Sequence, residues 1–177
     1  MKKRILSISL LSFVLILSSC QKIKDLLTVK VDTDFTVNLP VTIGTSPLKS
    51  TLGTFNSTET FDPLSNADLA TYKENIKGFD LNSMTGTVSE LSEEVTLTDA
   101  TLVVSTSLNS TQWHFTNLQI TNGTVIQFDD AAGQWTKVND ILEEQTEITV
   151  NLSGTANKTN VTFTLAVTLG VQVSAKI

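Results

Sequence analysis

One cysteine, one histidine and 18 carboxylate side chains carry the reactive potential of this 177-residue chain. Their spacing restricts the chemistry open to them. His114 stands between Trp113 and Phe115. A single His with no partner His cannot build the usual nitrogen and sulfur shell of a structural zinc. A Ser-His-Asp triad would have to use His114, yet no G-x-S-x-G or comparable nucleophile setting occurs. If the flanking rings face a core, strand alternation turns His114 outward. The acids come in pairs: Glu93-Glu94, Asp129-Asp130, Glu143-Glu144, and Asp32 with Asp34 on one strand face. Two carboxylates across a cleft can hydrolyse a glycosidic bond. Such clefts are also lined with aromatic rings, and this chain is only 6% aromatic, so a glycan hydrolase is the weakest of the readings. Trp113 and Trp135 read as core fillers before sugar platforms. Asp129, Asp130 and Asp140 are hard, loop-placed oxygen donors of the kind Ca²⁺ takes, and they form a calcium candidate without EF-hand spacing.

The remaining reactive residue, Cys20, has the most telling context. A basic start, Lys2-Lys3-Arg4, precedes an apolar run over residues 5–17 and the small residues Ser18 and Ser19. This is the layout of a secretory signal, with an apolar run too short to span a bilayer comfortably. Leu17-Ser18-Ser19-Cys20 resembles the lipobox of bacterial lipoproteins. The resemblance implies that residues 1–19 are removed and that Cys20 becomes the acylated first residue of the mature chain. Several acyl chains, at about 0.8 kcal/mol per buried methylene, give stable anchoring. Gln21 in place of Asp after the cysteine implies the outer membrane. The Ser-Ser-Cys signal and Thr/Asn-rich body are similar to small lipoproteins of the Bacteroidetes group. The acidic surface-export cluster of that group is absent, because residues 21–25 hold only Asp25. Both the periplasmic and the surface side therefore stay open. Residues 20–27 form a lipidated tether that reaches roughly 25 Å when fully extended. Lys22 and Lys24 read as solvated linker charges.

Removing Lys2, Lys3 and Arg4 with the signal takes the formal charge from −6 to −9, leaving nine lysines and no arginine. Arginine is the usual clamp for phosphates, so this acidic balance excludes a nucleic-acid partner. With one cysteine, the monomer has no disulfide and must be held by its core. There are 28 threonines against 8 glycines and 3 prolines. That is a strand-forming composition with wet hydroxyl faces. The pairs Thr85/Thr87, Thr96/Thr98 and Thr162/Thr164 read as ordinary wet-face rows.

The elements that must position these residues are mainly strands. Val29, Val31, Thr33, Phe35, Val37, Leu39, Val41 and Ile43 alternate with polar residues, as do the odd-numbered residues from Val161 to Ile177. Period two over that length predicts long strands with one buried face, bending or changing sheet near Pro40 and Gly170. Shorter strands are expected over 51–55 and 57–61 about a turn at Asn56, over 79–91, over 94–98 and 101–108 about Asp99, and over 147–153. Asn122-Gly123 predicts a hairpin joining 112–121 to 124–128. A helix is expected from a capping start at Ser65–Asp68 to Gly78, with a second short turn over 138–144. The pattern describes one all-β domain over 28–177: an antiparallel β-sandwich, jelly-roll-like, with short helices, or alternatively a closed β-barrel. The expected function is that of a membrane-anchored, non-enzymatic binding or structural module, with an envelope protein or glycan as partner. A lipid carrier with a hollow apolar interior is the alternative.

Overall fold

A computed structural model describes residues 28–45 and 52–177. The chain is all-β. Eight strands run in the order β1 (Thr28–Thr45), β2 (Gly53–Phe61), β3 (Ile76–Ser89), β4 (Val95–Ser105), β5 (Ser110–Ile120), β6 (Val125–Gln127), β7 (Ile148–Ala156) and β8 (Val161–Lys176). They form one antiparallel sheet ordered β5-β4-β7-β2-β1-β8-β3-β6. At its middle, β1 and β2 meet only through Gly44↔Thr54 and Thr45↔Gly53. The sheet curls there, and its two four-stranded halves face each other across the core. The pairing is nested: β1 with β8, β2 with β7, β3 with β6, β4 with β5. A long hairpin rolled on itself gives this order, and it is the jelly roll. The end strands β5 and β6 do not pair with each other, so the described sheet is not a closed barrel.

The two long strands follow their sequence pattern. Odd-numbered residues Phe35 to Ile43 of β1 and Val161 to Ala175 of β8 are buried. The pair stays in register from Thr28↔Lys176 to Ile43↔Val161 without a bulge. Pro40 therefore interrupts neither the strand nor its register. Its carbonyl faces away from β8 and accepts from Ser57 Oγ at 2.7 Å. In an antiparallel strand a residue's N–H and C=O share one side, so the donor that Pro40 lacks was never needed by the β8 ladder. Gly170 does mark an irregularity, but in the neighbouring strand. β3 slips register between Leu81 and Ser83 opposite Gly170, and a Cβ on Gly170 would lie 2.5 Å from Ser83 Oγ.

Several local expectations are corrected. β2 runs unbroken through Asn56, which pairs with Ser153. β4 runs unbroken through Asp99, with a one-residue bulge against β7. Asn122-Gly123 makes a tight turn, with Thr124 N donating to Thr121 O and Gly123 at φ 83. Yet β5 and β6 belong to opposite halves, so the turn is a sheet-crossing corner rather than a hairpin. It is held there by Gly123 N to Val88 O and by Asn122, whose side chain bonds both backbone groups of Leu91. Residues 65–78 are not an α-helix. They form 3₁₀ turns at Pro63–Ser65, Ala67–Leu69 and Lys73–Asn75, capped by Asp62 and Asn66, and then enter β3. Asn66 also reaches Asp34 O on the free edge of β1. The α-helix that does form is α1 (Gln134–Glu143). It buries Val138, Ile141 and Leu142 and satisfies Leu81 N through Asn139 Oδ1.

Candidate functional site

The structure separates the residues singled out by their chemistry. Trp113 and Trp135 are turned to structural use. Trp113 Nε1 donates to Asp129 O at 2.7 Å and Trp135 Nε1 to Phe128 O at 2.9 Å. Asp129 and Asp130 are exposed in the loop entering α1, and Asp130 Oδ1 accepts from Trp135 N at 2.8 Å. Asp140 is exposed on α1 itself, not in a loop. Among the described residues no group of three or more His, Cys, Asp or Glu side chains is placed to hold a metal. Cys20 lies outside the described residues.

His114 faces outward from β5, as alternation requires, while Trp113 is buried and Phe115 packs on the core. Its Nε2 meets Asp99 Oδ2 at 2.8 Å, both side chains being about half exposed (51% and 53%). Asp99 is the residue the sequence did not connect to it. The β4–β5 register brings the two together, as diagonal neighbours in the rows Thr101↔His114 and Asp99↔Thr116. An exposed pair of this kind contributes little to stability.

The outer faces are more distinctive than any cluster. On the half formed by β1, β8 and β3, cross-strand rows read Thr36–Thr168–Thr85, Asn38–Ala166–Thr87 and Pro40–Thr164–Ser89. On the half formed by β2, β7, β4 and β5 they read Asn56–Ser153–Thr101–His114 and Thr58–Asn151–Val103–Gln112. The side chains tie into one another. Thr36 Oγ1 and Thr168 Oγ1 are 3.1 Å apart, and Asn151 Nδ2 donates to Asn56 Oδ1 and Thr58 Oγ1 at 2.7 Å each. The Thr-x-Thr pairs lie within these faces, as expected. Thr98 and Thr155 hydroxyls meet across strands at 2.7 Å. Charge is confined to the margins of the β1–β8–β3 face. Asp32, held by Gln172 Nε2, and Asp34 sit at one end; Glu90, held by Thr164 Oγ1, sits at the other. A groove of about 460 Å³ runs over Asn38, Pro40, Thr164 and Ser89 between Glu59 and Glu90.

The interior is filled. The apolar void between the halves, lined by residues including Val88, Phe115, Ile126, Phe128 and Phe163, measures about 10 Å³. That is room for about one water, whereas a small-molecule pocket occupies about 300–1,000 Å³.

No family model matches the chain, and no curated protein matches it. One similar solved structure is that of desmodium yellow mottle tymovirus, at 10% identity and a TM-score of 0.32, over 85% of this chain and 83% of that one.

Proposed function

We propose that this protein is an envelope lipoprotein, fixed by acylated Cys20 to the outer membrane, that works by surface contact rather than by catalysis. The anchor rests on the Lys2-Lys3-Arg4 start, the apolar run and Leu17-Ser18-Ser19-Cys20. The contact role rests on one observation. Two broad sheet faces present mainly small hydroxyl and carboxamide side chains in cross-strand rows over a filled core, with Asp99–His114 an ionisable pair on one of them. Such faces offer hydrogen bonds at low side-chain entropy cost, suited to an envelope protein or to a glycan's hydroxyls. A filled core favours contact at the surface over carriage of a lipid inside.

The test is photocrosslinking in intact cells from a probe at Thr168 on one face and a probe at Thr101 on the other. The expected result is a discrete adduct from at least one face, and its loss when Lys replaces neighbouring Thr36 or Ser153. No adduct from either face, together with a lipid co-purifying in native mass spectrometry, would replace this reading with the carrier. Protease accessibility of whole cells assigns the side of the membrane.

A further inference from the structure

The topology gives the domain two unlike ends. β1 begins at Thr28, so the chain preceding it joins the domain where Thr28 pairs with Lys176 and Ala175 pairs with Ile76. Four of the six lysines among the described residues gather at this end. Lys30 faces outward on the first turn of the β1 pleat, beside Ser174. Lys176 is exposed at the end of β8. Lys77 is the extra residue of the bulge between Ile76 and Gly78, which leaves it exposed. Lys73 is exposed in the 3₁₀ turn leading into β3. None of the four has an ion-pair partner among the described residues, where the only lysine bridge is Lys158–Glu93. Ile177, 71% exposed, stands beside them. Acids at this end include Glu74 in the same turn, Asp32 and Asp80 flanking Gln172 one row up the sheet, and Asp68, which accepts from Thr33 Oγ1. On the helix side, Glu143 lies against Gly78 and Glu144 bonds Asn109. The opposite end carries Glu90, Glu93 and Glu94, with Lys158 paired to Glu93 at 2.6 Å.

We infer that the strand-end surface formed by Lys30, Lys73, Lys77, Lys176 and Ile177 rests on anionic lipid headgroups, and that the end carrying Glu90, Glu93 and Glu94 points away from the membrane. The inference rests on the lipid-anchored reading and adds the orientation of the domain. Two observations select the bilayer as the occupant. The seven residues between Cys20 and Thr28 reach at most roughly 25 Å, and they enter at this end. Unpaired lysines complement an anionic surface within about a Debye length, about 8 Å at physiological salt. In a chain with twice as many acids as lysines after the signal, four of the five unbridged lysines among the described residues gather where the tether enters. Contact at this end leaves the outer sheet faces and the end with Glu90, Glu93 and Glu94 clear of the bilayer.

The test uses the full mature protein, reconstituted into vesicles rich in phosphatidylglycerol or made of phosphatidylcholine alone, with acetylation by a water-soluble amine reagent read lysine by lysine by mass spectrometry. In the anionic vesicles, Lys30, Lys77 and Lys176 are expected to react at least about threefold more slowly than in phosphatidylcholine. Lys158 should react equally in both, and high salt should remove the difference. The Lys77→Gln/Lys176→Gln variant, changed only at exposed positions, should lose the protection at Lys30. Protein that floats with the vesicles and labels uniformly, or is protected at Lys158 instead, overturns the orientation alone. Protein without acyl mass on Cys20 that stays at the bottom of the gradient overturns the anchor and the orientation with it.

Discussion

Trp113 and Trp135 donate their indole hydrogens to adjacent carbonyls, those of Asp129 and Phe128. The two tryptophans approach the same two-residue stretch from different elements, β5 and α1. Between them Phe128, 2% exposed, inserts its ring against Trp113 and Phe115 in T-shaped contacts at 5.5 and 5.8 Å. The space for that ring comes from Gly86 on β3, where a Cβ would stand 3.0 Å from Phe128 and from Leu165. β5 and β6 are the unpaired ends of the curled sheet, so this latch closes by side chains what the backbone ladder leaves open.

Trp113→Phe keeps the ring packing and removes the donor, leaving Asp129 O without that bond. The expected cost is about 1–2 kcal/mol, or about 2–8 °C in melting temperature for a domain of this size. Trp135→Phe, at a half-buried position, is expected to cost less. Thermal melts followed by circular dichroism check both. Equal melting of Trp113→Phe and the parent would show that the latch is not held by its indole hydrogen bonds.

Gly86→Ala and Gly170→Ala should behave differently although both glycines are crowded. At Gly86 the neighbours are packed core carbons, so overpacking of about 1–3 kcal/mol is expected with no simple relief. At Gly170 the nearest atom is the exposed hydroxyl of Ser83, 2.5 Å from the added Cβ. A second change, Ser83→Ala, should therefore restore most of what Gly170→Ala loses. Urea unfolding of the single and double variants measures this. Absence of rescue would place the cost in the backbone of the Asn82 bulge.

Much of this fold was legible in the sequence, and the parts that were not fail for physical reasons. β1 and β8 follow their period-two pattern residue by residue, because each has one face on the core and one in water. Asn122-Gly123 was legible as a turn but not as a corner between halves. Turn chemistry specifies the local φ angles, whereas partner choice is set by Val88 and Leu91 across the roll. The expected helix over 65–78 failed because Leu69 and Ile76 are buried separately, one under a 3₁₀ turn and one at the start of a strand. Asp99 beside His114 was illegible, since the two meet only as diagonal neighbours across the β4–β5 pairing, and Asp99 reads in the sequence as a break between strands. The lysine end was hidden for the same reason: Lys30, Lys77 and Lys176 become neighbours only through β-pairing.

Asp130 separates two readings of the acidic loop. As the side chain that accepts from Trp135 N, it caps the first turn of α1. Asp130→Ala should cost about 1 kcal/mol whether or not calcium is present. A calcium site at Asp129, Asp130 and Asp140 would instead give heat on titration and a melting increase at millimolar calcium in the parent, both lost in the variant. Calorimetry and melts with and without calcium distinguish the two.

The central claim is that Cys20 fixes this domain to the membrane. The most direct measurement is the intact mass of the mature protein purified from the cell envelope. The expected species begins at Cys20, lacks residues 1–19 and carries the added mass of acyl chains on Cys20; Cys20→Ala should yield an unprocessed, unacylated chain. A mature chain that begins elsewhere, or that starts at Cys20 with no acyl mass, would contradict the account.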